Sequence, residues 1–347
     1  MSFIKIPKKS LEFFKKNQDE IFNSGNLVEG PWNKKLSEKV KEISGSKRAI
    51  CVNSNGSGLV AILLIFKTYF GRSDIMIQSN TMYGVKTMVG TAGLNLVTFI
   101  DCQVETLMPS YQDVKNAVEN YKGNKNKLVI MLSDIGGIIN PDIENIAKLL
   151  KKQNILLLED AAHSFGAKLN NKFAGTFGDA GVYSYYATKP IFAGEGGIAV
   201  TNNEEIGTFL QDFIAYDRFK QKMSIGCNIR LSELQALMIF SVINFYKDII
   251  SNKNEIAERY IESCKKNGLQ FISQNKNSNI GNYYKFTIIS PDSEISKKHP
   301  NIVTTTSKVY DYALGKNKDI PLKHLCLPIW FDQDKSITDQ VINELNS

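Results

Sequence analysis

The sequence is poor in the residues that build metal centres and disulfide frameworks. Only three histidines occur in 347 residues, which argues against a His-rich metal site. The cysteines are odd in number and scattered, without a Cys-x-x-Cys pair: Cys51, Cys102, Cys227, Cys264 and Cys326. We therefore predict no zinc or other metal site and no disulfide framework, a pattern that suits a reducing cytoplasm.

Long apolar runs are also missing. No stretch reaches the roughly 20 residues that cross a bilayer, so we expect no membrane partner. Residues 1–9 lack the apolar core of a secretory signal, which adds to the prediction of a cytoplasmic protein. An apolar content of 43% and a charged content of 22% are ordinary for a globular chain.

The formal net charge of +7 comes mostly from lysines spread along the chain. We favour the interpretation of a solvated, lysine-rich surface; the alternative is a site that attracts an anionic substrate. Nucleic-acid binding would need a basic stripe with interleaved aromatic residues, and the sequence has none. We therefore expect no nucleic-acid partner.

Short apolar runs alternate with longer amphipathic stretches between about residues 47 and 197. The strand-like runs are residues 49–52, 75–78, 96–100, 128–132, 155–158, 182–186 and 198–201. Helical patterns separate several of them, at residues 58–69, 111–121 and 143–152. This alternation predicts an α/β fold with a large domain, in which a mostly parallel seven-stranded sheet is flanked by helices.

The remaining segments predict a helical arm and a second, smaller domain. Residues 1–45 form two helical pieces with a break at 25–31, and a proline-free helical pattern runs from 231 to about 266. A strand at 283–290 and a final helix at 337–345 complete a small C-terminal α/β domain. We place the large domain at residues 1–240, and the linking helix with the small domain at 241–347.

Two residues near strand ends carry the clearest chemical signal. Asp160 follows the apolar run 155–158, and Lys189 lies between an aromatic strand and a glycine-rich turn at 194–197. A desolvated lysine can hold an aldehyde as a Schiff base, and an acid can keep a pyridine nitrogen protonated. Alone, Asp160 could cap a helix and Lys189 could be a surface lysine. Together they predict a pyridoxal phosphate (PLP) site.

A possible phosphate cradle precedes both residues. The segment Asn-Ser-Asn-Gly-Ser-Gly at 53–58 joins an apolar strand to a helix. Backbone amides at a helix N-terminus can bind phosphate, although such strings are also ordinary helix caps. The segment is neither a Walker A sequence nor a GxGxxG fingerprint, which disfavours nucleotide hydrolysis and dinucleotide binding.

The chain resembles the PLP-dependent nucleotide-sugar aminotransferases of the DegT/StrS type, which have the aspartate-aminotransferase-like fold (fold type I). The resemblance covers nearly the whole chain. It rests on an ordered set of segments, residues 24–30, 53–59, 159–166, 176–179, 183–189, 194–197, 226–236 and 324–328. The order is specific, although no single segment is.

The resemblance implies a role for each matching residue. Lys189 would form the Schiff base and carry the proton between substrate and cofactor, and Asp160 would pair with the pyridine nitrogen. His163 takes a position, usually Gln or His, that lies against the ring; without Asp160 nearby it would be an ordinary core histidine.

The resemblance also implies how the phosphate is held. Gly56, Ser57 and Ser184 would hold it within one chain, and Asn228 would reach it from the neighbouring subunit of a homodimer with shared active sites. Residues 228–236 are equally explained as the start of a helix capped by Ser232, and both interpretations can hold together.

The implied reaction transfers the amino group of L-glutamate to a nucleotide-linked keto-sugar, for surface glycan or secondary-metabolite biosynthesis. The runner-up is other PLP chemistry on the same scaffold, such as sugar dehydration or amination of a non-nucleotide ketone. Dehydratases of this type usually have histidine in place of the Schiff-base lysine, so Lys189 counts against that variant. A non-catalytic relative is the third possibility, and the presence of Asp160 and Lys189 disfavours it.

The chain departs from this family near the expected acceptor pocket. Most relatives carry an aromatic residue that stacks on the PLP ring, where this chain has Met82 followed by Tyr83: either Met82 replaces the ring contact or Tyr83 supplies it after a small shift. Residues 133–137 replace a common Tyr-Gly or Phe-Gly, the loop at 218–226 is short, and about a dozen residues are missing between 311 and 321. We therefore expect a remodelled or more open acceptor pocket.

Overall fold

The computed structural model describes residues 4–216, 222–276, 278–302 and 307–347. The strands within these ranges are β1 Arg48–Val52, β2 Asp74–Gln78, β3 Asn95–Ile100, β4 Leu128–Ser133, β5 Leu156–Asp160, β6 Lys168–Leu169, β7 Lys172–Phe173, β8 Ala180–Ser184, β9 Gly197–Thr201, β10 Gln270–Phe271, β11 Asn279–Ile280, β12 Phe286–Ile289 and β13 His324–Leu327.

The helices of the same ranges lie between and after these strands. They are α1 Lys8–Ser24, α2 Pro31–Ser44, α3 Asn55–Tyr69, α4 Tyr83–Ala92, α5 Tyr111–Asn120, α6 Ile143–Lys152, α7 Glu204–Ile214, α8 Glu233–Ile243, α9 Tyr246–Lys266, α10 Ile295–Lys298 and α11 Lys335–Asn346.

Seven strands form the central sheet, in the order β1-β9-β8-β5-β4-β2-β3. The pairs β8–β5, β5–β4, β4–β2 and β2–β3 are parallel, whereas β9 is antiparallel to both of its neighbours. This architecture confirms the predicted α/β class and the mostly parallel seven-stranded sheet. The parallel strands β4, β5 and β8 end side by side, so side chains at their carboxyl ends meet at one edge.

Alternating side chains of the sheet enter separate cores on its two faces. Val129 and Met131 of β4 pack with α3, α4 and α7, whereas Leu128 and Ile130 pack with α5 and α6 on the opposite face. All six residues of β4 are buried, as a strand covered on both faces requires. The short apolar runs of the sequence therefore became central strands.

Strand β5 ends later than the sequence predicts, at Asp160 instead of residue 158. The fold provides hydrogen-bond donors for both acidic residues at the end of this strand. The Glu159 carboxylate accepts hydrogen bonds from backbone amides of Gly175, Phe177 and Gly178. Asp160 is thus the last residue of the strand and not the first of a loop.

The predicted continuous helix from 231 to 266 is wrong. The segment forms α8 and α9, which meet at an angle of 52° after a break at Asn244 and Phe245. Helix α8 is buried beneath the sheet, and α9 turns away to pack on the C-terminal part. No single helix of the described chain is long and apolar enough to cross a membrane, and α8 with α9 meets that criterion only as a bent pair, by length and composition.

The C-terminal part has a three-stranded sheet of its own, in the order β10-β12-β13. Strand β12 lies within the predicted strand 283–290, and α11 contains the predicted final helix. A separate hydrophobic cluster joins α9, this sheet and α11 through Tyr260, Phe286 and Val341. The domain boundary at residues 240 and 241 stays a prediction.

Candidate active site

A cavity of about 480 Å³ lies at the carboxyl ends of β5 and β8. Five of the predicted site residues line it: Gly56, Asp160, His163, Ser184 and Lys189. They come from the start of α3, the end of β5, the end of β8 and the turns that follow these strands. The order of the strands in the sheet therefore brings together residues that lie up to 133 positions apart in the sequence.

Asp160 is held in place by three hydrogen bonds. Its Oδ1 accepts from Asn55 Nδ2 at 3.0 Å and from the Ala162 amide at 3.2 Å. Its Oδ2 accepts from Ser133 Oγ at 3.2 Å, because Ser133 is its register partner at the end of the parallel strand β4. These bonds fix the carboxylate at the wall of the cavity.

Burial raises the pKa of Asp160, and the positive charge of Lys189 acts in the opposite direction. The donors Asn55, Ala162 and Ser133 also favour the charged form. A further cation beside this carboxylate would stabilise its charge again. A protonated pyridine nitrogen is such a cation.

Lys189 lies in a tight turn after β8. Its amide donates to the Tyr186 carbonyl at 2.9 Å, and the Ala187 amide donates to the Gly194 carbonyl at 3.0 Å. Gly194 has a φ of 91°, which favours glycine, so the glycine-rich segment closes this turn. The half-buried Lys189 side chain places Nζ 5.2 Å from the centre of the Tyr284 ring.

His163 is buried and stacks among aromatic rings. Its ring centre lies 4.4 Å from that of Tyr284 and 6.1 Å from that of Tyr310. Burial, together with the positive charges of Lys189 and Lys285, holds the pKa of His163 well below its usual range, so the imidazole is neutral at neutral pH. Its Nδ1 is buried without a hydrogen-bond partner in the described protein. A ligand in the cavity could supply one.

The predicted phosphate residues fall into two groups. Gly56 and Ser184 line the cavity, whereas Ser57 does not. The Ser57 hydroxyl donates to Asn53 Oδ1 at 2.5 Å, and the Ser57 amide donates to Ser54 Oγ at 3.1 Å. A Cβ at Gly56 would lie 2.6 Å from the terminal methyl of Met88, so a larger residue there requires the Met88 side chain to move.

Asn228 lies outside the cavity within the single chain. Its side chain is exposed and accepts a hydrogen bond from Arg230 Nε at 3.2 Å. Its predicted role requires a second subunit and stays a prediction.

The structure adds roles that the sequence did not assign: Asn55, Tyr284, Lys285 and Tyr310 line the cavity, and Ser133 bonds Asp160 from the neighbouring strand. Ser133 could have been found from its place at the end of a strand beside β5. Tyr284, Lys285 and Tyr310 come from the C-terminal part and have no such signal.

The structure places Met82, and not Tyr83, at the position expected to contact the ring. Met82 lines the cavity, whereas Tyr83 is exposed outside it and contacts Tyr312. A thioether thus occupies the wall at the expected aromatic position. The short loop at 218–226 lies partly outside the described residues, which omit 217–221.

These residues fit pyridoxal phosphate. A lysine amine and a fixed carboxylate line one cavity, and a buried ring nitrogen there has no hydrogen-bond partner among the described residues. The sheet order and this cavity together define the class of fold-type I enzymes.

The chain belongs to the DegT/DnrJ/EryC1/StrS aminotransferase family, whose sequence profile matches residues 9–308. This membership confirms the resemblance seen in the sequence, and the expected enzyme class is that of the family.

Over the aligned residues, two curated relatives are about a quarter identical to this chain. It is 26% identical over 262 residues to UDP-4-amino-4,6-dideoxy-N-acetyl-beta-L-altrosamine transaminase of Helicobacter pylori, covering 72% of this chain and 66% of the relative. It is 28% identical over 279 residues to GDP-perosamine synthase of Escherichia coli O157:H7, covering 79% and 72%. The chain thus matches about two thirds of the length of these proteins.

A solved structure matches the fold over its full length. Helicobacter pylori PseC, an aminotransferase involved in the biosynthesis of pseudoaminic acid, superposes with a TM-score of 0.85. The match covers 99% of this chain and 98% of PseC at 21% identity. This likeness establishes the fold-type I architecture.

Proposed function

We propose that this protein is a PLP-dependent aminotransferase that moves the amino group of L-glutamate to a nucleotide-linked keto-sugar, in surface glycan or secondary-metabolite biosynthesis. The observation that carries the proposal is that Asp160 and Lys189 line one cavity, with the carboxylate fixed by three hydrogen bonds. The names of the curated relatives, both of which describe sugar-nucleotide enzymes, support the class of acceptor.

Different cavity residues would contact different parts of the cofactor. Asp160 would face the pyridine nitrogen, His163 would contact the ring, and Gly56 and Ser184 would face the phosphate. Ser57 could contribute only after its hydroxyl leaves Asn53. When bound, PLP supplies a reactive carbonyl and an electron sink.

Lys189 would act as the proton carrier of the reaction. Its Nζ lies at the cavity wall beside the Tyr284 ring, whose face attracts an ammonium group. Once neutral, the amine can take a proton from a substrate carbon and return it to another atom within reach. The neutral His163 would add no further positive charge beside this amine.

We further propose a cytoplasmic homodimer in which Asn228 completes the partner's phosphate site. The exposure of Asn228 outside its own cavity supports this arrangement, because its polar side chain is free to face another subunit.

The function is tested by cofactor loading followed by an amination screen. Protein supplied with PLP should gain a violet absorption band, and borohydride should trap the cofactor on Lys189, as read by peptide mass spectrometry. L-Glutamate should bleach the band and release 2-oxoglutarate, and a nucleotide keto-sugar should then be aminated.

Two variants sharpen this test. Lys189→Ala should lose transamination by at least about 100-fold, because the proton carrier is gone. The exposed Lys122→Ala should retain full activity. Full activity of Lys189→Ala, or protein that stays colourless with PLP, would refute the proposal.

A further inference from the structure

A second cavity, of about 470 Å³, adjoins the candidate active site. Thr188, Lys189, Tyr284 and Lys285 line both cavities, so the two share a wall. Apolar side chains of residues 327–331 form much of the remaining surface. A ligand could therefore reach Lys189 from this side and still bury an apolar part.

The charged side chains that line this second cavity are all lysines, and no carboxylate of the described chain lines it. They are Lys5, Lys189, Lys253 and Lys285. Lys5 pairs with Asp332 at 3.1 Å, and Lys189 is near the Asp160 carboxylate. Within the described ranges, the side-chain amines of Lys253 and Lys285 form neither a salt bridge nor a hydrogen bond, and Lys285 Nζ lies 5.4 Å from the centre of the Tyr284 ring. Two of the four lysines, Lys253 and Lys285, thus bring positive charge to the cavity wall without a carboxylate partner among the described residues.

Lys253 is the most informative of the four. It lies on α9 and is only 4% exposed, with its side chain at the cavity wall. Burial, and then the charge of Lys285, lower the pKa of Lys253 to about 7. An unpaired ammonium in such a place is costly, and a bound anion would remove most of that cost.

We propose that the second cavity is an anion subsite, in which Lys253 and Lys285 bind an oxyanion of the substrate, a carboxylate or a phosphate, beside Lys189. The presence of an anion subsite does not depend on the proposed function. Only the identity of the substrate that carries the anion rests on it. It favours the alternative interpretation of the basic charge, a site that attracts an anionic substrate.

Unreactive probes test the subsite without catalysis. Glutarate carries two carboxylates but no amine, and inorganic pyrophosphate carries the phosphate groups of a sugar nucleotide. Calorimetric titration of the protein, with and without added PLP, should show binding of at least one probe. Lys253→Met should weaken that binding by about tenfold or more, and Lys253→Arg, which keeps the charge, by no more than about threefold. Lys247→Met, an exposed lysine of the same helix, should bind as the wild type does.

Proton uptake gives a readout that a purely structural lysine would not change. The titratable groups that line the cavity with Lys253 are Lys5, Lys189, Tyr284, Lys285 and Cys326. Because an anion raises the pKa of Lys253 from about 7, binding at pH 8 should take up as much as about one proton. This uptake, measured from the buffer dependence of the binding enthalpy, should disappear in Lys253→Met.

The two probes distinguish the source of the anion. If Lys253→Met weakens the binding of glutarate only, the subsite belongs to the amino donor. If it weakens the binding of pyrophosphate only, the subsite belongs to the acceptor. If Lys253→Met binds both probes as tightly as the wild type, or if the wild type binds neither, the subsite is refuted. Lys285→Met gives the same comparison should Lys253→Met fail to fold.

The outcome is separable from that of the proposed function. Protein that binds a probe through Lys253 but never binds PLP would refute the function and leave the subsite. If the protein transaminates, and the Lys253→Met and Lys285→Met variants bind both probes as tightly as the wild type, only the subsite is refuted.

Discussion

Asn55 Nδ2 lies 3.0 Å from Asp160 Oδ1 and links the first residue of α3 to the last residue of β5. The same amide group donates to the Val182 carbonyl of β8 at 2.9 Å. One side chain thus ties together the three elements that form the floor of the cavity. Asn55 is buried and donates directly to Asp160, the proposed partner of the pyridine nitrogen. A substitution of Asn55 therefore tests how the Asp160 carboxylate is held.

Asn55→Ala should weaken PLP binding by about tenfold or more, because a hydrogen bond to a charged group is lost. The remaining Asp160 carboxyl should have a still higher pKa, so the loss should grow as the pH falls. Fluorescence titration with PLP between pH 6 and 8 measures both effects. Asn116→Ala, on the exposed side of α5, is the control. Equal affinity of Asn55→Ala and wild type would contradict this assignment.

Substitutions of His163 can separate the effect of its polar ring nitrogen from the effect of its ring packing. His163→Phe keeps an aromatic ring beside Tyr284 but removes the unpartnered Nδ1. The cofactor-free protein should therefore unfold with a free energy within about 1 kcal/mol of the wild type, while PLP affinity and turnover fall by about tenfold.

His163→Gln is the matched comparison, because it restores a polar group. We expect it to recover PLP affinity to within a few-fold of the wild type. If the Phe and Gln variants bind PLP equally well, His163 contributes only packing.

The chemistry at the strand ends was predictable because parallel strands place their carboxyl ends at one edge. Asp160 and Lys189 could be found from their places after strand-like runs and, for Lys189, from the glycine-rich turn that follows. Tyr284 and Lys253 were not predictable, since they enter the site from the C-terminal part, and no local pattern records which face of α9 turns toward the cavity.

Two elements show where local patterns fail. Helix α4 was not predicted, because its glycines and β-branched residues have poor helix propensity and it is held by packing against α3. The break between α8 and α9 has no proline to signal it. Helix α8 packs in one hydrophobic cluster and most of α9 in another, so tertiary packing determines where the chain bends.

Glu159 should make the stability of the protein depend on pH. Burial raises its pKa from 4.5 to about 7, although three backbone amides favour the charged form. A raised pKa means that the stabilising contribution is complete below pH 4.5 and is lost as the pH rises through about 7. The free energy of unfolding should fall by about 3 kcal/mol over this window from this residue.

Glu159→Gln tests this linkage in urea unfolding at pH 5, 6, 7 and 8. The variant should be less stable than the wild type at pH 5 by about 1–2 kcal/mol, because its amide cannot accept from Gly175. The difference should shrink at pH 8, where the wild type carries a buried charge. The exposed Glu119→Gln should leave the pH dependence unchanged, and parallel curves for Glu159→Gln and wild type would refute the raised pKa.

Mixed dimers test the shared site directly. If Asn228 acts in the partner's cavity, Asn228→Ala chains and Lys189→Ala chains should both be poorly active alone. In a mixed dimer, the Asn228→Ala chain keeps its own Lys189 and receives an intact Asn228 from its partner. Random mixing at equal amounts should then restore about a quarter of the wild-type activity, because half of the dimers hold one intact site of two. Activity that never exceeds the average of the two variants would place Asn228 in its own chain's site or outside the active site.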